Sequence, residues 1–119
     1  MKQKLVVILT QAANSDRSTI AFTVANASLS AGMDVMVFLA SDGADLVREH
    51  AADRATVKPF MALDELIGKF ISSGGVAAAC GSCCQFRGLQ NGDTREGIQV
   101  VGVSVLVDWL AAGATAISL

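Results

Sequence analysis

The sequence holds one histidine, His50, and one proline, Pro59, in 119 residues. From a single imidazole no convincing Ser/His/Asp arrangement can be built, which sets hydrolytic triads aside. Nine basic and eleven acidic residues are intermixed for a net charge of -2. No Lys/Arg cluster offers a footprint for a phosphate backbone, so nucleic acid is not an expected partner. No apolar run approaches the ~20 residues that cross a bilayer, so no membrane partner is expected either. Neither GxxxxGK nor GxGxxG occurs, and nucleotide binding has no motif behind it. No cofactor is expected. There is no internal repeat, low-complexity tract or linker, and the length fits one domain over residues 1–119. The opening Met1-Lys2-Gln3-Lys4-Leu5 leads into a strand-like run with no small-residue cleavage site after it, so it does not read as a signal peptide.

Charge is scarce and apolar residues are plentiful. Charged residues make up 17% and apolar residues 52%, against typical values of about 25% and 45–50%. A chain this small cannot easily hide that surplus, and self-association is the simplest outlet for it.

Along the chain, Lys4 to Thr10 reads as a buried strand, short and rich in β-branched residues. Ser15 or Asp16 caps a helix that runs to about Ala31, with Ile20, Val24, Ala27 and Ala31 on one face. Gly32 suits the left-handed residue after the helix end. Asp34 to Ala40 is a second strand. Ser41-Asp42-Gly43 turns into another helix with Leu46, Val47 and His50 on one side. Ala51 to Phe60 reads as a loop with room for a short strand. Leu63, Leu66, Ile67, Phe70 and Ile71 hold the spacing of an amphipathic helix, which Gly74-Gly75 ends. Val76 to Cys80 is a third buried strand whose small residues suit close helix packing. Gln85 to Gly97 is polar, with a turn signal at Asn91-Gly92-Asp93. Gln99 to Leu110 mixes strand-favouring valines with helical spacing at Val103, Leu106, Val107 and Leu110. A helix is expected over about 102–112 and a last strand over 114–119.

Alternating strands and helices predict a three-layer α/β/α sandwich with a mostly parallel sheet of about five strands. Ligands in such folds gather beyond the carboxyl ends of the strands. Those ends are Thr10-Gln11, Ser41-Asp42 and Cys80.

Cys80, Cys83 and Cys84 are the three cysteines, packed into five residues. An odd number so closely spaced is not a secreted disulfide framework. A reducing, cytoplasmic compartment and thiol chemistry fit better. A helix starting near Gly81 places Cys80 at its N-terminus, where the dipole and free amide hydrogens favour a thiolate. A thiolate is the nucleophile in thiol exchange and in sulfur transfer. Arg87 adds positive charge if the segment folds back. Cys84 shares a helix face with Cys80, and Cys83 is also near. Cys80 and Cys83 form a CxxC, the spacing of dithiol exchange proteins. Simple burial as small apolar side chains is the plain alternative. Three thiols at the favoured ligand position of an α/β sheet weigh against it. Zinc normally takes four ligands, at least three of them from protein in catalytic sites. One CxxC and a sequence-remote His50 do not supply them, so no metal is expected. Thr10, Ser41 and Asp42 are read as turn and capping residues before they are read as ligands. His50 is read as a helix-end packing residue, Trp109 and Phe86 as core or interface, and Asp108 as solvated.

Three stretches resemble the DsrE-like (DsrE/DsrF/TusD/YchN) sulfur-relay family. One runs from Ser30-Ala31-Gly32-Met33-Asp34-Val35 through the strand into Phe38-Leu39-Ala40-Ser41-Asp42-Gly43. Another is Cys80 followed by Arg87-Gly88, the spacing at which the sulfur-transferring members carry an acceptor cysteine and an Arg-Gly. The last is the tail, from Val101-Gly102 through Trp109 to Ser118-Leu119. The resemblance implies that Cys80 accepts sulfane sulfur as a persulfide and passes it on. It also implies trimers or hexamers. The chain departs from the family in carrying Cys83 and Cys84, either of which can attack a Cys80 persulfide.

The leading expectation is a sulfur carrier or sulfurtransferase. Cys80 holds the persulfide, Cys83 or Cys84 resolves or shares it, and Arg87 with the helix amides steadies the anion. Its partners are sulfur donor and acceptor proteins or small sulfur compounds, and further copies of the chain. One alternative is a thiol–disulfide redox protein or sensor using Cys80 with Cys83 or Cys84. Another is a non-catalytic oligomeric binding module.

Overall fold

The computed structural model describes residues 2–89 and 94–119. Its strands are β1 (Lys4–Leu9), β2 (Asp34–Leu39), β3 (Val76–Cys80), β4 (Ile98–Val101) and β5 (Thr115–Ser118). Its helices are α1 (Asp16–Ser30), α2 (Leu63–Ser72), α3 (Gly81–Phe86) and α4 (Val103–Ala111), with a 3-10 turn over Ser41–Val47. The five strands form one parallel sheet in the order β4-β3-β2-β1-β5. The chain steps outward from β1 to β4, then returns to the far side of β1. Right-handed crossovers therefore put α1 and α2 on one face and α4 on the other. The expected three-layer sandwich is the fold observed. Among the described residues, no helix is long and apolar enough to cross a membrane.

The two faces are covered unequally. Under α1 and α2, Phe22, Leu63, Ile67 and Phe70 bury completely against Val7, Leu9, Val37 and Leu39. Phe22 and Phe70 meet edge to face at 5.8 Å, an arrangement worth about 0.5–1.5 kcal/mol beyond the area it buries. On the other face Val6, Met36, Phe38 and Ala78 are sealed by Val105, Leu106 and Trp109 of α4. That helix has no fully buried residue of its own.

Five details depart from the sequence reading. The buried face of α1 is Ser18, Thr19, Ala21, Phe22, Ala25 and Asn26, not the Ile20–Val24–Ala27–Ala31 stripe. Backbone carbonyls take the hydrogens of two of its polar side chains, Ser18 and Asn26. Ser18 Oγ donates to Ala12 O at 2.6 Å, and Asn26 Nδ2 donates to Leu66 O at 3.0 Å, tying α1 to α2. The helix expected after Gly43 is a seven-residue 3-10 turn. His50 lies beyond that turn at φ 69° and is exposed, paired with Asp53 at 2.9 Å rather than packed beside Leu46 and Val47. No strand forms in 51–60. The ambiguous valine-rich stretch is both things in turn, the edge strand β4 and then α4. The Asn91-Gly92-Asp93 turn signal lies outside the described residues.

The 3-10 turn packs hard against β1. A Cβ on Gly43 would stand 2.1 Å from the Leu9 carbonyl oxygen, well inside the closest approach of non-bonded carbon and oxygen. Only glycine lets the turn sit there, and the turn carries Ser41 and Asp42. Gly43→Ala should therefore lower stability by about 1–3 kcal/mol, the usual cost of overpacking. Urea unfolding of the two proteins checks this, read as a lower midpoint at unchanged slope.

Candidate functional site

β3 ends at Cys80, and the chain turns directly into α3. Because α3 begins at the next residue, the thiols straddle the end of the sheet. Cys80 is half-buried against the cluster under α4. Cys83 is half-buried against the opposite cluster, and Cys84, in that same cluster, is only 3% exposed. The sheet therefore gathers Cys80, Cys83, Cys84 and Arg87 at one place. That place is not the point where strand order reverses, which lies between β1 and β5.

The neighbouring strand supplies the partners. Leu39 of β2 is in register with Ala79 of β3, so the residues that follow them leave the sheet side by side. Ser41 adopts φ 53°, a left-handed conformation that costs a non-glycine residue roughly 1–2 kcal/mol. In that conformation its N–H donates to Cys83 Sγ at 3.3 Å. Asp42 Oδ1 accepts from Arg87 Nη2 at 2.8 Å, and Arg87 Nη1 donates to the Cys83 carbonyl oxygen at 3.5 Å. Arg48 Nη2 donates to the Arg87 carbonyl oxygen at 3.3 Å while its Nε holds Asp45 at 2.7 Å. The turn after β2 and the helix after β3 are thus joined at several points. Phe86 projects into solvent, 85% exposed, with the Arg87 guanidinium 5.6 Å from its ring centre.

These contacts sort the thiols electrically. The Ser41 amide, then a hydrogen bond from the Cys80 side chain, hold Cys83 below the ordinary thiol range. Burial opposes them and the Arg87 charge assists. Cys84 moves the other way, pushed up by burial and then by the negative charge its neighbours carry when ionised. Cys83 is therefore the thiol of the cluster held toward its anion, with the Cys80 side chain beside it.

Other expected residues fall elsewhere. Thr10 Oγ1 donates to the Leu119 carbonyl oxygen at 2.9 Å, closing β1 onto the end of the chain. Asp42 is the ion-pair partner of Arg87 rather than only a turn residue. Trp109 packs beneath α4 with Lys4 Nζ 5.0 Å from its ring centre. A cavity of about 290 Å³ lies beside the site, lined by Ala12, Asp42, Asp45, Arg48 and Arg87. A larger one, about 500 Å³, is lined by Glu49, His50, Asp53, Asp64, Arg95 and Glu96, and no thiol reaches it. Among the described residues, no group of three or more His, Cys, Asp or Glu is placed to hold a metal ion. The sequence reading missed the Ser41 amide and Arg48. The first was legible only by assuming that β2 and β3 are neighbours.

The model of the DsrE/DsrF-like family matches residues 2–119. Protein MJ0989 of Methanocaldococcus jannaschii is 30% identical over 105 residues, covering 87% of this chain and 89% of that protein. Protein MK0008 of Methanopyrus kandleri is 29% identical over 107 residues, covering 89% and 85%. A further M. jannaschii protein, MJ0760, is 24% identical over 106 residues, 89% of this chain, and the match spans only 38% of its length. All three are described as uncharacterized. Among solved structures, the ychN protein from E. coli superposes with TM-score 0.79 at 16% identity, covering all of both chains. The protein MTH1491 from Methanobacterium thermoautotrophicum gives 0.76 at 17% identity, covering 99% of this chain and 100% of that one. These two likenesses concern the fold.

The electrostatic order of the thiols has a direct consequence. In native protein at neutral pH, iodoacetamide should modify Cys83 faster than a free cysteine and Cys84 last. Peptide mass mapping over time checks this. Cys84 reacting with or before Cys83 would remove the assigned order.

Proposed function

The chain belongs to the DsrE/DsrF-like family, and from that premise we propose that it is a sulfur carrier whose Cys80 accepts sulfane sulfur as a persulfide. One observation carries the reading. Cys80 ends β3 half-exposed, and its side chain is hydrogen-bonded to Cys83, a thiol held toward its anionic form. The Cys80 sulfur, as its thiolate, attacks the outer sulfur of a donor persulfide, and the donor leaves as a thiolate. Arg87 lies beside the pair and offsets the charge. Sulfur-donor and sulfur-acceptor proteins, or small sulfur compounds, are the partners this chemistry requires.

The same dithiol contact also favours a second reading, a thiol–disulfide redox protein or sensor that closes Cys80 onto Cys83. The two readings separate by what the chain does without a sulfur donor. A redox protein loses two hydrogens on mild oxidation and shows no preference for sulfane sulfur.

The carrier works as a homo-oligomer, a trimer or hexamer, in this proposal. Val103, Val107 and Leu110 on the outer side of α4 are 61%, 54% and 42% exposed, and Val100 of β4 is 45% exposed. The three on α4 lie on the thinner face of the sandwich and form the kind of patch that association covers, while Val100 stands on the other face at the sheet edge.

In a chain whose sole thiol is Cys80, made by Cys83→Ser and Cys84→Ser, a persulfide donor should add the mass of one sulfur atom. Cys80→Ser alone should abolish the gain. Persulfide on Cys83 or Cys84 in that variant, with none on Cys80 in the first, would move the carrier role off Cys80. For the assembly, light scattering should give a multiple of the 12.3 kDa chain mass. Val107→Glu with Leu110→Glu should reduce it toward one chain. A monomeric native protein would refute the oligomer.

A further inference from the structure

We infer that Cys83, and not Cys84, discharges the persulfide held on Cys80, releasing hydrosulfide and closing a Cys80–Cys83 disulfide. The inference rests on the carrier role proposed for Cys80 and names how that site empties when no acceptor takes the sulfur.

Position within α3 leaves both thiols eligible, since residues three and four apart are neighbours on a helix. Their surroundings do not. Cys84 is 3% exposed and packed into the cluster under α1 and α2, deeper than the half-buried Cys83 that touches the same cluster. To reach Cys80 it would have to leave that packing, which for a buried apolar side chain is unfavourable. Cys83 is already in hydrogen-bond contact with the Cys80 side chain. Closing the disulfide shortens that contact to about 2.05 Å between sulfurs.

Two further features bear on Cys83. The Ser41 N–H points at its sulfur from 3.3 Å, out of a left-handed backbone that a serine adopts only when its surroundings impose it. Arg87 is fixed beside it by Asp42 at 2.8 Å and donates to the Cys83 carbonyl oxygen. Ser41 and Arg87 are therefore positioning residues for the Cys83 sulfur. Burial pushes Cys84 toward the protonated, unreactive form.

The step balances without an outside oxidant. The Cys83 thiolate attacks the inner sulfur of Cys80–S–SH and forms the Cys83–Cys80 sulfur bond. The bond from that inner sulfur to the outer sulfur breaks, and its electron pair leaves with the outer sulfur as HS⁻. The sulfane sulfur gains two electrons, one from each cysteine sulfur. A second turnover takes two electrons from an external dithiol, which is left as a disulfide.

The test exposes reduced protein to a small-molecule persulfide donor and then removes the donor. It follows intact mass, disulfide mapping and free sulfide. The native chain and Cys84→Ser should both release about one sulfide per chain and end two hydrogens lighter, with Cys80 joined to Cys83. Cys83→Ser should keep the mass of one added sulfur on Cys80 and release none. Sulfide release retained in Cys83→Ser but lost in Cys84→Ser would assign discharge to Cys84 and overturn the inference. A stable added sulfur in the native chain would overturn it too, while leaving the carrier reading in place. Failure of Cys83→Ser to take up sulfur on Cys80 would bring down the carrier reading itself, and the inference with it.

Discussion

The hydrogen bond from the Ser41 amide to the Cys83 sulfur is the contact on which the site depends. It joins the ends of two parallel neighbours, β2 and β3, that are remote in sequence. It forms only because the turn after β2 lies flat against β1, where Gly43 has no side chain to collide with Leu9. It also needs β3 to stop at Cys80, so that α3 brings Cys83 round to meet the turn. The Asp42–Arg87 pair fastens the same two segments a second time. Exposed ion pairs contribute little energy on their own, typically about 0–1 kcal/mol. Here the pair fixes where a positive charge stands relative to a thiol.

The sheet is built asymmetrically around that contact. The face under α1 and α2 holds the larger aromatic and aliphatic core and takes in Cys84. The other face rests on one short helix and holds Cys80. Three cysteines adjacent in sequence so enter three environments: one at each side of the sheet end within reach of the other, and one in the core. The thin face leaves valines and a leucine of α4 in solvent, which is where the apolar surplus of the composition reaches the surface.

Much of the fold was legible in the sequence because local patterns decided it. Val76–Cys80 as a strand, the Leu63–Phe70 spacing of α2 and the glycine after α1 all stand where the apolar period and turn chemistry put them. The misreadings have physical causes. The inner face of α1 was hidden because Ser18 and Asn26 lie on it, donating to carbonyls of the loop before the helix and of α2 that no helical period shows. β4 was merged with α4 because four edge-strand residues run into a helix equally rich in valine. The 3-10 turn carries no helical period to detect. At the site, the thiol cluster and Arg87 were visible as a spacing. The difference between Cys83 and Cys84 was not, because it comes from a backbone amide across the sheet and from depth of burial.

The central claim is that Cys83 is the thiol held toward its anion, by the Ser41 amide and by Cys80. The pH dependence of Cys83 alkylation, read by peptide mass in the native chain and in Cys80→Ala, tests it most directly. The account predicts a midpoint below that of an ordinary thiol, rising when Cys80 is replaced. A midpoint at or above the ordinary thiol value, unmoved by loss of Cys80, would contradict it.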